Sequence, residues 1–309
     1  MKKLLIALSG LCLAAGIGSA DIGQVLGNGT GARGGGMGFA QVSAAKGVEG
    51  IYWNPATLTA VQTIQLSTYA SEIYGTSYKT LGIAFPALAG KCGILMLNAG
   101  QSGMQETTLD LGGRPVPTGN LFGYSATAVY FSYAREFGGF SFGTNLKYLT
   151  ESLQSNGANG VGLDVGVLAK PYPTVMLGAK YENLIAPQMK WNTASGNIDK
   201  IESLFRGGIS LVPENGKYSI SGDLSIGENN QVELFAGGEY NLVNSLILRG
   251  GLFSGRPTIG IGFGYKDFTV DYSYIKGSDI LEDAQRVSLN FSLSGRSSIS
   301  SQTALANRL

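Results

Sequence analysis

The groups in this chain most able to do chemistry are its strand charges, which recur at every second position in segments whose other positions are apolar. In residues 161–169, Val161, Leu163, Val165 and Val167 take one parity and Gly162, Asp164 and Gly166 the other. In residues 218–226, Tyr218, Ile220, Gly222, Leu224 and Ile226 oppose Ser219, Ser221, Asp223 and Ser225. Residues 268–275 set Phe268, Val270, Tyr272 and Tyr274 against Thr269, Asp271 and Ser273. Residues 286–293 set Val287, Leu289, Phe291 and Leu293 against Arg286, Ser288, Asn290 and Ser292. Period two puts each polar set on one face of a β-strand. The polar face carries Lys147, Asp164, Lys180, Glu182, Arg206, Asp223, Glu233, Glu239, Arg249, Asp271 and Arg286, six acidic and five basic. Half-buried charges must be paired to offset desolvation, so this near balance reads as a lattice of ion pairs stiffening a narrow interior. A field that selects ions would need an excess of one sign.

The chemistries this chain lacks narrow the classes further. It contains no histidine, which removes Ser-His-Asp and Cys-His catalysis and histidine zinc sites. No other acid pair or nucleophile stands at a usable spacing, so no catalytic residue, metal site or cofactor is expected. Formal charge is +1, so no broad field exists to attract nucleic acid. Gly29-Thr30-Gly31-Ala32-Arg33-Gly34 matches the dinucleotide-binding pattern literally, but it lacks the preceding strand and the parallel βαβ unit that give the pattern meaning.

Charges of this kind need strands to hold them, and the alternation predicts fourteen. They begin near residues 63, 76, 91, 121, 139, 159, 175, 203, 218, 232, 245, 257, 268 and 284. The even number suits a closed up-and-down barrel. Connections after even-numbered strands are short, at 86–90, 136–138, 171–174, 213–217, 241–244 and 266–267. The longest, at 100–120 and 183–202, follow strands three and seven, and further long ones follow strands five and thirteen. Such sorting by parity is expected of a membrane barrel with short periplasmic turns and longer outer loops. Tyr148, Tyr181, Tyr240, Tyr265 and Tyr274 sit near strand ends on the apolar face, where an interfacial girdle would place them. In the loop after strand seven, Leu184, Ile185, Pro187, Met189 and Trp191 form an apolar patch that fits ligand capture, protein docking or simple packing.

The two ends differ from the strand region. Lys2 and Lys3, an apolar run from Leu4 to Ile17, and Gly18, Ser19 and Ala20 form an expected cleaved signal peptide, residues 1–20. Its removal takes Cys12 and leaves Cys92 unable to form an intramolecular disulfide. Residues 21–60 escape the alternation and form a separate element ahead of a barrel at 61–293, and a tail at 294–309 follows the last strand.

Within that separate element, Gly31-Ala32-Arg33-Gly34-Gly35-Gly36-Met37-Gly38-Phe39-Ala40 precedes Glu49-Gly50-Ile51-Tyr52-Trp53-Asn54-Pro55-Ala56-Thr57-Leu58. These stretches resemble FadL-like outer-membrane proteins, most closely the PorV/PorQ branch. Asn145-Leu146-Lys147-Tyr148, Gly162-Leu163-Asp164-Val165-Gly166, Gly237-Gly238-Glu239-Tyr240 and Leu248-Arg249-Gly250-Gly251 extend the likeness along the chain. The resemblance implies an all-β fold: a 14-stranded antiparallel transmembrane β-barrel in the outer membrane, with the N-terminal segment as a hatch in the lumen. It implies passage of small hydrophobic molecules, with no energy-coupling group, as the function. The PorV/PorQ branch implies the alternative, an accessory of type IX secretion that docks exported proteins. Expected partners are outer-membrane lipid with either a hydrophobic small molecule or exported proteins. Trp53, Asn54, Pro55 and Ala56 read either as a hatch turn gating the lumen or as a turn in which Pro55 fixes φ and Asn54 caps.

Overall fold

A computed structural model describes residues 22–194, 196–243, 245–277 and 282–293. The expected signal peptide and the 294–309 tail lie outside the described residues. The strands are β1 Gln65–Ile73, β2 Thr76–Ala87, β3 Gly90–Leu109, β4 Pro115–Phe137, β5 Phe140–Leu153, β6 Asn156–Tyr172, β7 Val175–Ile185 and β8 Gln188–Trp191. They continue with β9 Ile198–Lys200, β10 Leu204–Leu211, β11 Tyr218–Gly227, β12 Val232–Val243, β13 Leu246–Phe253, β14 Arg256–Tyr265, β15 Phe268–Ile275 and β16 Ala284–Ser292. Fourteen of them form the barrel. Each is antiparallel to its neighbours, β1 closes against β16 from Gln65 opposite Ser292, and β7 pairs directly with β10. The hairpin β8–β9 lies inside the β7–β10 connection and adds to β6 through Ala158 opposite Trp191.

Every barrel strand except β4 begins within three residues of its expected position. The exception changes how the loops read. Residues 100–120, expected as a long loop, are mostly strand: β3 and β4 run for 20 and 23 residues and leave only 110–114 as the turn. A tilted membrane strand needs about 9–11 residues, so this hairpin projects well past the bilayer. Register shifts between Gln101 and Met104 and between Gln105 and Thr107 mark the exposed part. The β5–β6 connection, also expected to be long, is a two-residue turn at 154–155, because both strands continue further than the alternation suggested. Among the described residues the asymmetry between the two ends comes from the β3–β4 projection and the β8–β9 insert; the connection expected to be long after the thirteenth strand lies partly outside them, at 278–281. At the end of β15 the Tyr274 hydroxyl, followed by the Gly277 N–H, donates to Asp283 ahead of β16 and holds its carboxyl down to about 2.

Alternation decides which face is which. On β11 the polar parity is buried and the apolar parity exposed. Around the wall, Leu81, Ile94, Phe131, Leu146, Val161, Ile220, Leu234, Ile259 and Val287 all stand outward and exposed, Leu234 by 68%. A continuous apolar belt of this size would be a severe liability in water and matches a lipid-facing surface. Tyr148, Tyr181, Tyr240 and Tyr265 share that outer face. The buried core accordingly lies inside the barrel.

Residues 22–60 occupy that interior as short turns of helix: α1 Ile22–Leu26, α2 Ala32–Gly36 and α3 Gly50–Trp53, with 3-10 turns Gly47–Glu49 and Pro55–Ala60. The α2 sequence ARGGG is a poor helix former, each glycine costing roughly 1 kcal/mol against alanine. Tertiary contacts hold it instead: all five of its residues are buried, and the Ala32 N–H donates to Ser288 Oγ at 2.7 Å.

Candidate functional site in the lumen

The inward faces meet the N-terminal segment at very short range. A Cβ built on Gly143 of β5 would lie 2.3 Å from the Ala56 nitrogen, and one on Gly237 of β12 would lie 2.1 Å from the Met37 carbonyl oxygen. Glycine at these two wall positions is what lets the segment backbone touch the sheet. Asn54 fixes the segment's path. Its Nδ2 donates to Val42 O at 2.8 Å and to Val167 O on β6 at 3.1 Å, and its Oδ1 accepts from the Ala56 N–H. It thus caps the 3-10 turn that Pro55 opens and also ties that turn to the wall. Trp53 is buried, and its indole N–H donates to Thr30 O at 3.1 Å.

The lumen charges fall into two clusters and three separate groups. On β5–β7, Lys147 pairs with Asp164 at 2.7 Å and Lys180 with Glu182 at 3.0 Å, and cross-pairs at 3.5 and 3.7 Å complete a square. A bulge in β7 puts Asn183 at φ 58, a left-handed conformation asparagine tolerates. The bulge aims its N–H at Asp164 and its Oδ1 at Lys147. On β12–β15, Glu239 receives Arg33 through two bonds at 3.0 and 3.1 Å, Lys46 at 2.7 Å and Arg249 at 3.3 Å. Arg249 continues to Asp271 at 2.8 Å, and Asn290 donates to the far oxygen of Asp271. The sequence-expected lattice thus includes Lys147, Asp164, Glu239, Arg249 and Asp271, joined by Arg33 and Lys46 from the N-terminal segment.

Arg206, Asp223 and Arg286 are placed differently. Among the described residues none of them forms an ion pair. Asp223 accepts the Gln41 and Val42 N–H groups, and Arg286 donates to the Asn28 and Gly29 carbonyls. Arg206 lies over the rings of Trp53 and Phe235, at 5.3 and 4.3 Å. These three residues grip the segment's backbone and an aromatic ring. Glu233 keeps the inward parity but is exposed at the rim, where Ser254 reaches it at 3.5 Å.

Alternation did not reveal an aromatic string crossing the lumen. Tyr130 meets Tyr52 (centroids 6.4 Å apart), Tyr52 meets Trp53 (4.8 Å) and Trp53 stacks on Phe39 (5.6 Å). Phe39 then meets Phe253 edge-on (5.0 Å), and Phe253 stacks on Phe235 (5.6 Å). Part of the signal was present in the sequence, because Phe235 and Phe253 are large apolar residues at the polar parity of their strands, shared with Glu239 and Arg249. Beside the string, Ile22 and Leu26 of α1 share a buried cluster with Tyr69, Ile73 and Tyr78. Of the apolar patch expected in a loop after strand seven, Met189 lies on β8 and is fully buried, while Leu184 and Ile185 close β7 and face out.

No protein-family model matches this chain, and no curated protein matches it. Solved structures do share its fold. The Ralstonia pickettii toluene transporter TbuX superposes with a TM-score of 0.64 at 13% identity, over 86% of this chain and 99% of that one. A Pseudomonas aeruginosa FadL homologue gives 0.57 at 11% identity, over 86% and 98%. The deltaS2S3 mutant of the monoaromatic hydrocarbon channel TodX gives 0.57 at 13%, over 85% and 97%. At these identities the likeness establishes the fold, a closed FadL-like 14-stranded barrel.

Proposed function

We propose that this chain is an outer-membrane barrel that passes small hydrophobic molecules, with residues 22–60 as a hatch in the lumen and the short-turn end facing the periplasm. The observation that carries the reading is the aromatic string from Tyr130 to Phe235, six rings in contact across the lumen. An apolar solute reaching it would replace water contact with ring contact, gaining about 25 cal/mol for each Å² it buries. The shared fold with a toluene transporter and a monoaromatic hydrocarbon channel supports the same cargo class. No energy-coupling group is required, since partition and diffusion suffice.

The test is uptake of a labelled monoaromatic hydrocarbon by cells lacking the gene, complemented with wild type or with Phe39→Ala/Phe253→Ala. Uptake should fall on deletion, return with wild type, and reach less than a third of the restored rate with the double variant. Folding of the variant is checked by its shifted migration on unboiled gels. A second reading is a docking platform for exported proteins of the PorV/PorQ kind. It is favoured by the β3–β4 hairpin, which offers an exposed ladder well beyond the bilayer. Normal uptake in the deletion strain, with surface proteins accumulating in the periplasm, would replace the first reading with the second.

A further inference from the structure

The segment is not held equally on all sides of the barrel. Against β5–β7 its polar contacts are complete: Asn145 donates to Ile51 O, Lys180 to Tyr52 O, Asn54 to Val167 O, and Thr59 to Ser141 Oγ. Among the described residues, no buried side-chain atom on β2–β7 lacks a hydrogen-bond partner. Ten such atoms occur elsewhere, and five of them follow one line between residues 41–46 and the β10–β11 wall. They are Ser43 Oγ, Ser219 Oγ, Ser221 Oγ, Asp223 Oδ1 and Arg206 Nη1.

The register makes this line continuous. Ser221 lies opposite Ser210, whose hydroxyl faces Ser43 O at 3.4 Å, and Asp223 lies opposite Gly208. Ser225 lies opposite Arg206 at one end. Ser219 lies opposite Glu239 at the other, where Lys46 pairs with Glu239 while half of its side chain reaches solvent. Buried polar atoms without partners are the costly exception in folded proteins, and each gains once water reaches it. The ties holding this side closed are the N–H bonds from Gln41 and Val42 to Asp223, the long bond from the Ser210 hydroxyl to Ser43 O, the half-exposed Lys46–Glu239 pair and the bond from Asn54 Nδ2 to Val42 O.

We propose that residues 41–46 are a gate that leaves the β10–β11 wall while residues 54–60 stay anchored, opening a serine-lined passage for small neutral hydrophilic solutes. The wall supplies Ser210, Ser219, Ser221, Asp223 and Ser225, which can hydrogen-bond such a solute, and charges of both signs, which give no ionic preference. The inference does not rest on the hydrophobic-cargo reading, because it concerns a different route and a different class of solute.

The test uses the full chain with Cys12 and Cys92 replaced by serine, reconstituted in liposomes, with swelling in a pentose as the readout. In Ser43→Cys/Ser221→Cys, closing the bridge with a short bis(methanethiosulfonate) reagent, which forms one disulfide with each thiol and releases methanesulfinate, should slow swelling at least fivefold, and reducing the two disulfides should restore it. The control pair Thr59→Cys/Ser141→Cys, bridged in the same way, should leave swelling within twofold of the unbridged protein. Bridging is confirmed by the mass of the joined peptide. Three results would overturn the proposal: no swelling by the unbridged protein, equal swelling with the 43–221 bridge open and closed, or failure of that bridge to form while the control bridge closes.

Discussion

Replacing Arg249 by methionine should destabilise the folded barrel by about 3–5 kcal/mol, the usual cost of removing one partner from a buried charge network. Arg249 is 2% exposed at its side chain and bonds both Glu239 and Asp271. Methionine fills most of the space and removes every donor. Among the described residues Asp271 then keeps only Asn290, and Glu239 falls back on Arg33 and Lys46. Both carboxylates sit inside the lumen with side-chain exposures of 2% and 6%, so solvent cannot make up the loss. The measurement is urea-induced loss of the compact gel band in lipid vesicles, followed for wild type and Arg249→Met. Adding Asp271→Leu to Arg249→Met should recover more than half of the loss, because the orphaned charge is then gone. A single variant within 1 kcal/mol of wild type would mean that the lumen charges contribute little to stability.

That network also shows how far the sequence could be read. Strand alternation located Glu239, Arg249 and Asp271 on one face, because strand side chains have a rigid period and a lipid-facing wall demands an apolar partner set. It could not locate Arg33 or Lys46. They belong to a segment whose short turns, such as the glycine-rich α2, take their shape from the barrel enclosing them. Nothing local to ARGGG encodes a helix, so the contacts that complete the network are visible only in three dimensions. The same cause hid the aromatic string, half of which comes from Phe39, Tyr52 and Trp53. Residues 100–120 were misread for a different reason. Beyond the bilayer both faces of the hairpin meet water, so alternation vanishes although the ladder continues. Asn54 was legible as the cap of the 3-10 turn, but its bond to Val167 O on β6, which ties the segment to the wall, is not encoded in local turn chemistry.

How tightly the segment is seated leads to the second large effect. Valine at Gly237 should drive the segment from its packed position, because even a Cβ there would stand 2.1 Å from Met37 O and 2.5 Å from Met37 C. Those are backbone atoms, so no rotamer change relieves the overlap, and overpacking of this kind costs at least 1–3 kcal/mol, more where backbone must move. The wall has less reason to yield, since Gly237 stays paired with both Ser221 and Gly251 and an added side chain points into the lumen. The barrel should therefore remain folded while Met37 and its neighbours shift. Trp53 reports the displacement through its bond to Thr30 O and its stack on Phe39. With Trp191 replaced by phenylalanine, emission from Trp53 in Gly237→Val should move to longer wavelength by about 10 nm or more as the indole meets water. A thiol placed at Ser43, with the native cysteines removed, should react with a membrane-impermeant reagent at least tenfold faster. Unchanged emission and unchanged reactivity in a folded Gly237→Val barrel would mean that the segment tolerates the side chain, and that the close approach at Met37 does not fix its position.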